Sequence, residues 1–452
     1  MSDPRAMRRA AREIFDDALS KMDAGQAVRR AVERRGSRLR VFEEEFDLVG
    51  RRAPKIYSVA IGKAAASMAA ALEESLGEHV AGGVLSAPPT DISFPHRWRV
   101  FAGGHPLPDE ASLDAARASF ELLRKADDHS ALIIFLISGG GSAMLELPRD
   151  ERVTLADLRE TNRVLVSCGA GITEVNVVRR ALSIIKGGGL SALAPRAAQL
   201  TLIVSDTATN RADDVASGPT FPSEINTEKL TSVVAKYDLA ARLPASVTRA
   251  LGEFRDGQKV DAHVAALRKH YVLLDNESAL KSAAEAARAR GFIVETASDL
   301  VEQPVEEGSR ELVARLVEFY RREGTGGKCV CLVSGGEFAC PVRGRGVGGR
   351  NAETALRCAL EMARGASQSR RGELPAQMWA LCAGTDGIDG NSPAAGALAD
   401  QTTLGRALDK GLDAKQFLDE SDAYTFFDAL GDTVVTGPTG TNVRDLRILL
   451  AG

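Results

Sequence analysis

The stretch Phe135-Leu136-Ile137-Ser138-Gly139-Gly140-Gly141-Ser142-Ala143 joins an apolar run to three consecutive glycines. The run from Ala131 to Ile137 predicts a buried strand, and its abrupt end predicts a tight loop. Glycine admits positive φ angles and lets a ligand approach the backbone closely. A loop at the carboxyl end of a strand exposes N–H groups that can surround an anion. Taken alone, the pattern also fits an ordinary turn of an α/β protein.

The same pattern recurs at other strand ends. The apolar residues before Ser334 lead into Gly335-Gly336-Glu337, those before Gly384 lead into Thr385-Asp386, and residues 200–204 lead into Ser205-Asp206. Strands that deliver Ser, Gly, Asp or Glu at their carboxyl ends are typical of an open α/β active site. Strand and helix patterns alternate along the chain, which predicts a mostly parallel sheet covered on both faces.

The length, net charge and cysteine spacing of the chain argue against several classes of protein. A chain of 452 residues favours two α/β domains, and a net charge of −4 argues against a nucleic-acid-binding protein. The sequence contains no stretch of eighteen apolar residues, so we expect no membrane span, and residues 1–5 show no secretory signal. The spacing of the six cysteines fits neither a zinc site nor a disulfide framework, which predicts reduced thiols in a cytoplasmic protein.

Lys63 follows the predicted strand from Lys55 to Ile61 and precedes an alanine-rich helix. Most lysines are solvated surface residues, but one in a strand-to-helix turn among small residues favours a phosphate or carboxylate ligand. The spacing of a Walker A loop is absent. His105, between Gly104 and Pro106, fits either a substrate contact or a support for the turn.

Charged residues in the middle of the chain suit an acidic substrate and a metal ion. Arg179, Arg180 and Lys186 form a local positive group that an acidic substrate would need. Asp206, directly after a strand, is the preferred Mg²⁺ ligand because this ion takes oxygen ligands together with water and phosphate. Asp213 and Asp214 also fit a solvated loop.

The C-terminal half contains a basic, glycine-rich loop over residues 342–349, before a helix predicted from Asn351 to Ala363. Such a loop suits a polyphosphate, although a flexible loop is the alternative. Asp386 and Asp389 lie in a glycine turn, where an acid can orient a hydroxyl, hold a metal or stabilise the turn. The neutral hydroxyls and amides of residues 436–443 can contact phosphate or substrate.

Nine short motifs, in order over nearly the whole length, resemble the glycerate 2-kinase family, the class with a C-terminal MOFRL domain. The motifs are IGKAA at 61–65, GHPLPDEAS at 104–112, LISGGGSAMLELP at 136–148, NVVRR at 176–180 with IKGGGL at 185–190, ASGPTFP at 216–222, VSGGE at 333–337, GVGGRNAE at 346–353, AGTDGIDG at 383–390 and TGPTGTNVRDL at 436–446.

The resemblance implies ATP- and Mg²⁺-dependent phosphorylation of the 2-hydroxyl of D-glycerate. It implies an α/β fold with a Rossmann-like N-terminal domain, residues 1–240, whose sheet is mostly parallel. A MOFRL-type α/β domain, residues 241–452, would follow, with the active site in the cleft between the domains. We expect the N-terminal helix, residues 5–45, to pack on the C-terminal domain, and the chain to form a homodimer.

Site residues follow from the motifs. The expected catalytic residues are Lys63, Arg350, Asp206 and Asp386, of which Asp206 and Asp386 are also the expected Mg²⁺ ligands. The expected substrate- or phosphate-binding residues are Ser138, Gly139, Gly140, Gly141, Ser142, Arg179, Glu337, Gly348, Gly349, Asn351, Thr385, Thr439 and Asn442.

Two neighbouring residues depart from the family pattern. Relatives usually carry Gly-Asp where this chain has Thr209-Asn210, which removes a charge that a metal or a lysine needs. A kinase of a different hydroxy acid is therefore an alternative. So is an NAD(P)-dependent hydroxypyruvate reductase, although no GxGxxG fingerprint follows the first strand. A binding protein that has lost catalysis is a third alternative, against which the intact Lys63, Arg350 and Asp386 argue.

Overall fold

The computed structural model describes residues 4–208, 211–223, 226–255, 267–324, 326–368 and 375–452. Thr209 and Asn210, where the sequence departs from the family pattern, lie outside the described residues. The chain divides into two compact units. Residues 24–273 form the unit that we call the N-terminal unit, and residues 1–23 with 274–452 form the C-terminal unit.

Helices and strands alternate over most of the described chain. The helices are α1 (Pro4–Ser20), α2 (Ala24–Ala31), α3 (Ala65–Leu76), α4 (Glu110–Lys125), α5 (Gly141–Met144), α6 (Leu155–Ser167), α7 (Ile172–Leu182), α8 (Thr227–Lys236), α9 (Leu239–Arg242), α10 (Ala245–Glu253), α11 (Asn276–Ala289), α12 (Val305–Glu323), α13 (Arg350–Gln368), α14 (Thr403–Asp409), α15 (Ala414–Asp419) and α16 (Ala423–Leu430). The strands are β1 (Val32–Arg35), β2 (Arg38–Val41), β3 (Glu44–Asp47), β4 (Lys55–Ile61), β5 (Val80–Ala87), β6 (Trp98–Ala102), β7 (Ala131–Ser138), β8 (Ala198–Val204), β9 (Arg268–Leu274), β10 (Ile293–Ala297), β11 (Val330–Gly336), β12 (Met378–Gly384), β13 (Gly396–Asp400), β14 (Thr433–Val434) and β15 (Asp445–Ala451).

The N-terminal unit contains a six-stranded sheet with the order β6-β5-β4-β7-β8-β9. Parallel pairings join β6 to β5, β5 to β4, β4 to β7 and β7 to β8. All of β7 is buried, which explains its unbroken apolar sequence because both faces of a parallel sheet are covered. Ile61 pairs with Ile137 and Ser138 pairs with Val204, so the turns after β4, β7 and β8 lie side by side.

The border of the N-terminal unit lies later in the chain than the expected domain border at residue 240. Residues 241–273 belong to this unit, and β9 forms an edge of its sheet beside β8. The expected helical segment 5–45 is also shorter than predicted, because β1, β2 and β3 form an antiparallel sheet over residues 32–47. In β2 buried Leu39 and Val41 alternate with exposed arginines, and this period of two favours a strand over a helix.

The C-terminal unit contains a mixed six-stranded sheet with the order β10-β11-β15-β12-β13-β14. Among the described strands of this sheet, only β10 and β11 pair in parallel, whereas β15 runs antiparallel to both β11 and β12. The prediction of a mostly parallel sheet is therefore wrong for this unit. The reason is that the last strand of the chain inserts between two earlier strands, and the alternation of strands and helices does not reveal such an insertion.

Helix α1 packs on the C-terminal unit, to which it belongs. Its residues Met7, Ile14 and Phe15 are buried in one apolar cluster with Phe292 and Trp379. This contact accounts for the amphipathic pattern of α1, since the apolar stripe covers the sheet and the charged face is left to water. In the parts of the chain that the structure describes, none of the helices has the length and apolar character needed to cross a membrane.

Candidate active site

The turn after β4 and the glycine loop after β7 are joined by hydrogen bonds. The N–H of Lys63 donates to Gly139 O at 2.8 Å, and the N–H of Ala64 donates to Ser138 Oγ at 3.1 Å. Gly62 has a φ of 112°, and a Cβ at this position would lie 2.8 Å from Gly139 O. Because only glycine tolerates both conditions, the Gly62-Lys63 pair fixes the backbone of the lysine against the loop.

Three side chains from other segments of the chain pack against this loop at Gly139 and Gly140. A Cβ on Gly139 would collide with the carboxylate of Asp206, which lies two residues beyond the end of β8. A Cβ on Gly140 would lie 3.0 Å from Cδ2 of His105 and 3.2 Å from Cγ of Lys63. The loop needs glycine because these side chains lie directly on its backbone. We call Lys63, His105, Asp206 and the loop Ser138–Ser142 the N-terminal cluster.

The N–H groups of this loop are available for a ligand. Within the described residues, the backbone N–H groups of Gly139 and Gly140 have no hydrogen-bond partner. Gly140 has a φ of 82° and lies in a turn, a conformation that favours glycine. Unpaired N–H groups next to a lysine side chain form a site for an anion.

The far end of the loop is held by a network of hydroxyl and amide groups. Ser142 Oγ lies 2.6 Å from Ser217 Oγ, and Ser217 Oγ lies 2.9 Å from Asn176 Oδ1. Ser217 has a φ of 62° and Ala216 a φ of 51°. Non-glycine residues avoid this left-handed region at a cost on the order of 1–3 kcal/mol each. Strain that presents a hydroxyl to the glycine loop is typical of functional sites. Ser217 and Asn176 lie in two of the motifs but were not among the predicted site residues.

Arg179 belongs to a separate buried group with Glu146 and Lys186. Lys186 forms an ion pair with Glu146, which also accepts a hydrogen bond from Ser183 Oγ at 2.5 Å. Burial lowers the pKa of Lys186 and the pKa of Arg179, and the charge of Glu146 opposes both shifts. No hydrogen bond joins Arg179 to the glycine loop within the described residues, so the structure does not bring this predicted site residue to the N-terminal cluster.

Arg350 is the centre of a second polar group, at the start of α13. Its Nε donates to Asp445 Oδ2 at 2.6 Å, and its Nη2 lies 3.1 Å from Asp445 Oδ1 and 2.8 Å from Glu337 Oε1. Burial lowers the pKa of Arg350, but the ion pairs with Asp445 and Glu337 outweigh this effect and raise the pKa overall. Within the described residues Nη1 makes no hydrogen bond, so this edge of the guanidinium is available to an anion.

Asp389 caps the same helix. It accepts hydrogen bonds from the N–H of Asn351 at 2.9 Å and from the N–H of Ala352 at 2.8 Å. Burial raises the pKa of Asp389 to about 6, although the two N–H donors act in the opposite direction. Asn351 Nδ2 donates to Asp445 Oδ1 at 2.9 Å, which ties the capped helix to the Asp445–Arg350 pair. We call Glu337, Arg350, Asn351, Asp389 and Asp445 the C-terminal cluster.

Thr385, Asp386, Thr439 and Asn442 form adjoining turns in the C-terminal unit. Thr439 Oγ1 donates to Thr385 O at 2.6 Å, and the N–H of Thr439 donates to Asp386 O at 3.2 Å. A Cβ on Gly384 would lie 3.2 Å from Asp386 Oδ1 and 3.6 Å from Asn351 Nδ2, so Asp386 lies beside the C-terminal cluster. Asn442 Oδ1 accepts a hydrogen bond from Arg444 N at 3.0 Å, which stabilises the turn before β15.

Two N–H groups of the basic glycine-rich loop before α13 already donate hydrogen bonds to side chains elsewhere in the chain. Val347 N donates to Asp422 Oδ1 at 2.7 Å, and Gly348 N donates to Asn391 Oδ1 at 2.8 Å. Gly349 lies so close to Asp389 that a Cβ would collide with its carboxylate. The N–H group of Gly348 is therefore already paired, and the glycines allow close packing. The side chain of Arg350, which follows this loop, is a further group that an anion could contact.

The buried side chains of Arg447 and Asn276 hold the backbone next to the C-terminal cluster in place. Arg447 donates to the carbonyls of Gly335 and Gly336, and its guanidinium lies 3.5 Å from the centroid of the Phe338 ring. Asn276 Oδ1 accepts from Gly336 N at 2.8 Å, and its Nδ2 donates to Asp445 O at 3.0 Å. These contacts fix the end of β11, which leads into Glu337, against the start of β15, where Asp445 lies.

The carboxylates of the two clusters fit a Mg²⁺ ion only if the phosphates of a nucleotide also bind the ion. The described residues contain no group of three or more His, Cys, Asp or Glu side chains placed to hold a metal. Mg²⁺ in kinases is usually held by one or two carboxylates, water and the phosphates of the substrate. Asp206 in the N-terminal cluster and Asp386 beside the C-terminal cluster each fit the part of a single carboxylate ligand.

Comparison with known protein families covers most of the chain. Residues 10–252 match the family described as a domain of unknown function, DUF4147, and residues 330–445 match the MOFRL family. The chain is 31% identical to a D-glycerate 2-kinase of Thermotoga maritima, with 99% of each chain aligned. It is 33% identical to a putative hydroxypyruvate reductase of Agrobacterium vitis, with 98% of this chain and 94% of the relative aligned.

A solved structure agrees with the fold over the whole chain. The crystal structure of a glycerate kinase from Thermotoga maritima matches with a TM-score of 0.81 and 29% identity. The match covers 99% of this chain and 100% of that one. The α/β architecture of both units is therefore shared with a protein of known fold.

Proposed function

The chain belongs to the glycerate kinase family with a C-terminal MOFRL domain, and from this we propose that it transfers the γ-phosphoryl group of ATP to the 2-hydroxyl of D-glycerate. The products are 2-phospho-D-glycerate and ADP. The oxygen–phosphorus bond to ADP breaks, the 2-hydroxyl oxygen forms the new bond to phosphorus, and the hydroxyl proton leaves to a base.

The observation that supports the reaction class most strongly is the glycine loop of the N-terminal cluster. Its Gly139 and Gly140 N–H groups are unpaired within the described residues, and the side chain of Lys63 lies along Gly140. Phosphoryl transfer needs positioning and charge neutralisation more than covalent chemistry. In our proposal these N–H groups and Lys63 bind the transferring phosphoryl group, and Asp206 orients the 2-hydroxyl and accepts its proton.

We propose that Arg350, in the C-terminal cluster, binds phosphate oxygens of the nucleotide. Asp445 and Glu337 occupy Nε and Nη2 of Arg350 and leave Nη1 for an oxygen of the nucleotide phosphates. A guanidinium fixed on two edges loses little freedom when the third edge binds an anion. Mg²⁺, held by Asp386 and the phosphates, would neutralise part of the negative charge of the nucleotide.

The six cysteines are all free thiols, and this supports a cytoplasmic location in our proposal because disulfides are rare there. The expected homodimer stays a prediction. The expected exclusion of nucleic acid as a partner continues to rest on the net charge of −4.

The proposal is tested by measuring ADP formation by the purified chain with MgATP and a panel of acids. We expect ADP to form with D-glycerate and not without an acceptor. ADP formation with another hydroxy acid, but none with D-glycerate, would retain a kinase and refute the substrate. The name of the Agrobacterium vitis relative motivates a parallel assay with hydroxypyruvate and NADH or NADPH. Oxidation of the cofactor, with no ADP from any acid, would refute the kinase.

A further inference from the structure

The hydroxyl of Ser142 has a fixed hydrogen-bond direction. Ser142 is half-buried at the end of the glycine loop, and its Oγ lies 2.6 Å from Ser217 Oγ. One of the two hydroxyls donates its proton to the other, and the distance alone does not show which one is the donor. The groups behind Ser217 determine the direction.

Asp214 sets the direction of the whole network. This buried carboxylate is paired with Arg180, whose Nη2 lies 3.3 Å from Oδ1, and with Arg211. Its two oxygens accept hydrogen bonds from both guanidinium groups. Asn176 therefore turns its Nδ2 toward Asp214 Oδ1, at 2.8 Å, and its Oδ1 toward Ser217.

The orientation of Asn176 in turn determines which of the two serine hydroxyls donates to the other. Asn176 Oδ1 only accepts, so Ser217 donates its single hydroxyl proton to it at 2.9 Å. Ser217 Oγ has no second proton, so Ser142 must donate its own proton to Ser217 Oγ. The lone pairs of Ser142 Oγ are left for a ligand, and they can only accept a hydrogen bond.

This direction excludes one class of ligand and suits another. The oxygens of an ionised phosphate only accept hydrogen bonds, so they gain nothing from Ser142 Oγ. An alcohol hydroxyl donates, and it suits this oxygen. We infer that Ser142 binds the 3-hydroxyl of the acceptor D-glycerate, that it is a specificity-determining residue, and that Ser217 and Asn176 are its positioning residues. The inference rests on the proposed function, and it replaces phosphate binding as the role of Ser142.

The strained backbone at Ser217 agrees with this role. Ser217 and Gly218 have φ angles of 62° and 67° in succession, and the Ser217 hydroxyl lies 2.6 Å from Ser142 Oγ. Arg180 Nε donates to Ser217 O at 3.2 Å and Nη2 donates to Asp213 O at 2.7 Å, which stabilises this conformation. A residue that merely closed a turn would not require a side-chain network of this kind.

The test compares D-glycerate with D-lactate, which has the same 2-hydroxy acid but lacks the 3-hydroxyl. We would measure the KM for D-glycerate, the KM for ATP and the competitive inhibition constant of D-lactate. The proteins are the natural chain, Ser142→Ala, Ser142→Cys, Ser217→Gly and the control Ser75→Ala. Ser75 Oγ donates only to Ala71 O within α3, so its removal should change none of these constants.

For Ser142→Ala we expect the KM for D-glycerate to rise about tenfold, the loss of one hydrogen bond, while the KM for ATP and the D-lactate constant stay unchanged. Ser142→Cys should behave in the same way, because a thiol is a weak acceptor of similar size. Ser217→Gly should reduce the preference for D-glycerate over D-lactate, because it frees the Ser142 proton. Glycine also tolerates the φ of 62°, so this variant keeps the test valid if Ser142→Ala does not fold.

Two results would overturn the inference alone. One is a raised KM for ATP in Ser142→Ala, which would make the serine a phosphate ligand. The other is an unchanged ratio of the D-lactate and D-glycerate constants in every folded variant. Absence of ADP formation with D-glycerate in the natural chain is a different result, and it would overturn the proposed function together with this inference.

Discussion

Arg350 and Asp445, 95 positions apart in the chain, form a two-point ion pair in which Nε lies 2.6 Å from Oδ2 and Nη2 lies 3.1 Å from Oδ1. Asp445 is 1% exposed and is the first residue of β15, whereas Arg350 is the first residue of α13. The pair therefore aligns a helix start with a strand start and fixes the plane of the guanidinium. Glu337 completes the arrangement from the end of β11.

The first prediction concerns Asp445→Asn. This change keeps the shape of the side chain but removes the charge that orients Arg350, so we expect kcat to fall roughly 10²-fold, as for the loss of one transition-state donor. Arg350→Lys should have a similar effect, because an ammonium group cannot form the two-point pair. Steady-state kinetics at saturating MgATP measures both. Glu361→Gln, which removes the charge of a half-buried partner of the exposed Arg364, is the control and should leave kcat unchanged. Full activity in a folded Asp445→Asn protein would show that this pair has no part in catalysis.

The second prediction concerns Lys63→Ala. The lysine side chain lies against Gly140 in the loop with unpaired N–H groups, so its loss should lower kcat/KM by about 10²–10⁵, the range for a cation that stabilises phosphoryl transfer. Lys55→Ala is the matched control, because Lys55 is exposed at the opposite end of the same strand. Kinetics and a thermal melt on both variants separate catalysis from folding. Equal activity of the two variants would refute the role of Lys63.

The third prediction uses the closest packing in the N-terminal cluster. Gly139→Ala places a Cβ against the Asp206 carboxylate, so this carboxylate must move and we expect kcat to fall roughly 10²-fold. Gly171→Ala is the control, since no atom lies within 4 Å of a Cβ at that position and its φ is −68°. Loss of activity in Gly139→Ala with an unchanged unfolding midpoint would agree with the account. Retained activity would show that the position of Asp206 does not matter.

The fourth prediction is a pH dependence of stability due to Asp389. Its pKa is raised from 3.8 to about 6, mainly by burial, so the native state holds a proton that the unfolded state has lost between these values. The stability that this group contributes is present below about pH 4 and is lost as the pH rises through about 6. The change is on the order of 3 kcal/mol. We would measure the free energy of unfolding in urea for the natural chain and for Asp389→Asn from pH 4 to 7.5. The difference between the two free energies should change as the pH rises through this range. A constant difference would contradict the assigned pKa.

The fold was predictable where the signal is local. The apolar run of β7 and the glycines after it lie in one short stretch, and the period of the sequence identifies them. The spread of Lys63, Ser138 and Asp206 over three strand ends was also predictable, because neighbouring parallel strands present their carboxyl ends at the same edge. The structure places these residues together, whereas their chemical roles remain proposals.

Long-range pairing was not predictable. Nothing in the sequence of β15 shows that it inserts between β11 and β12, so Asp445, the partner of Arg350, was missed. The composition of the loop before α13 suggested N–H groups open to phosphate. Distant residues such as Asp422 and Asn391 take up those of Val347 and Gly348, and a local pattern cannot reveal this. Asn176 and Ser217 were not among the predicted site residues, because their role depends on hydrogen bonds that join three separate segments of the chain.

The position of the phosphate on the product shows whether this chain phosphorylates the 2-hydroxyl of D-glycerate. We would incubate the chain with MgATP and D-glycerate and record proton-coupled phosphorus NMR spectra of the product. We expect a phosphorus signal split by one methine proton, as in 2-phosphoglycerate. A signal split by the two methylene protons of 3-phosphoglycerate, or no phosphorylated product, would contradict it.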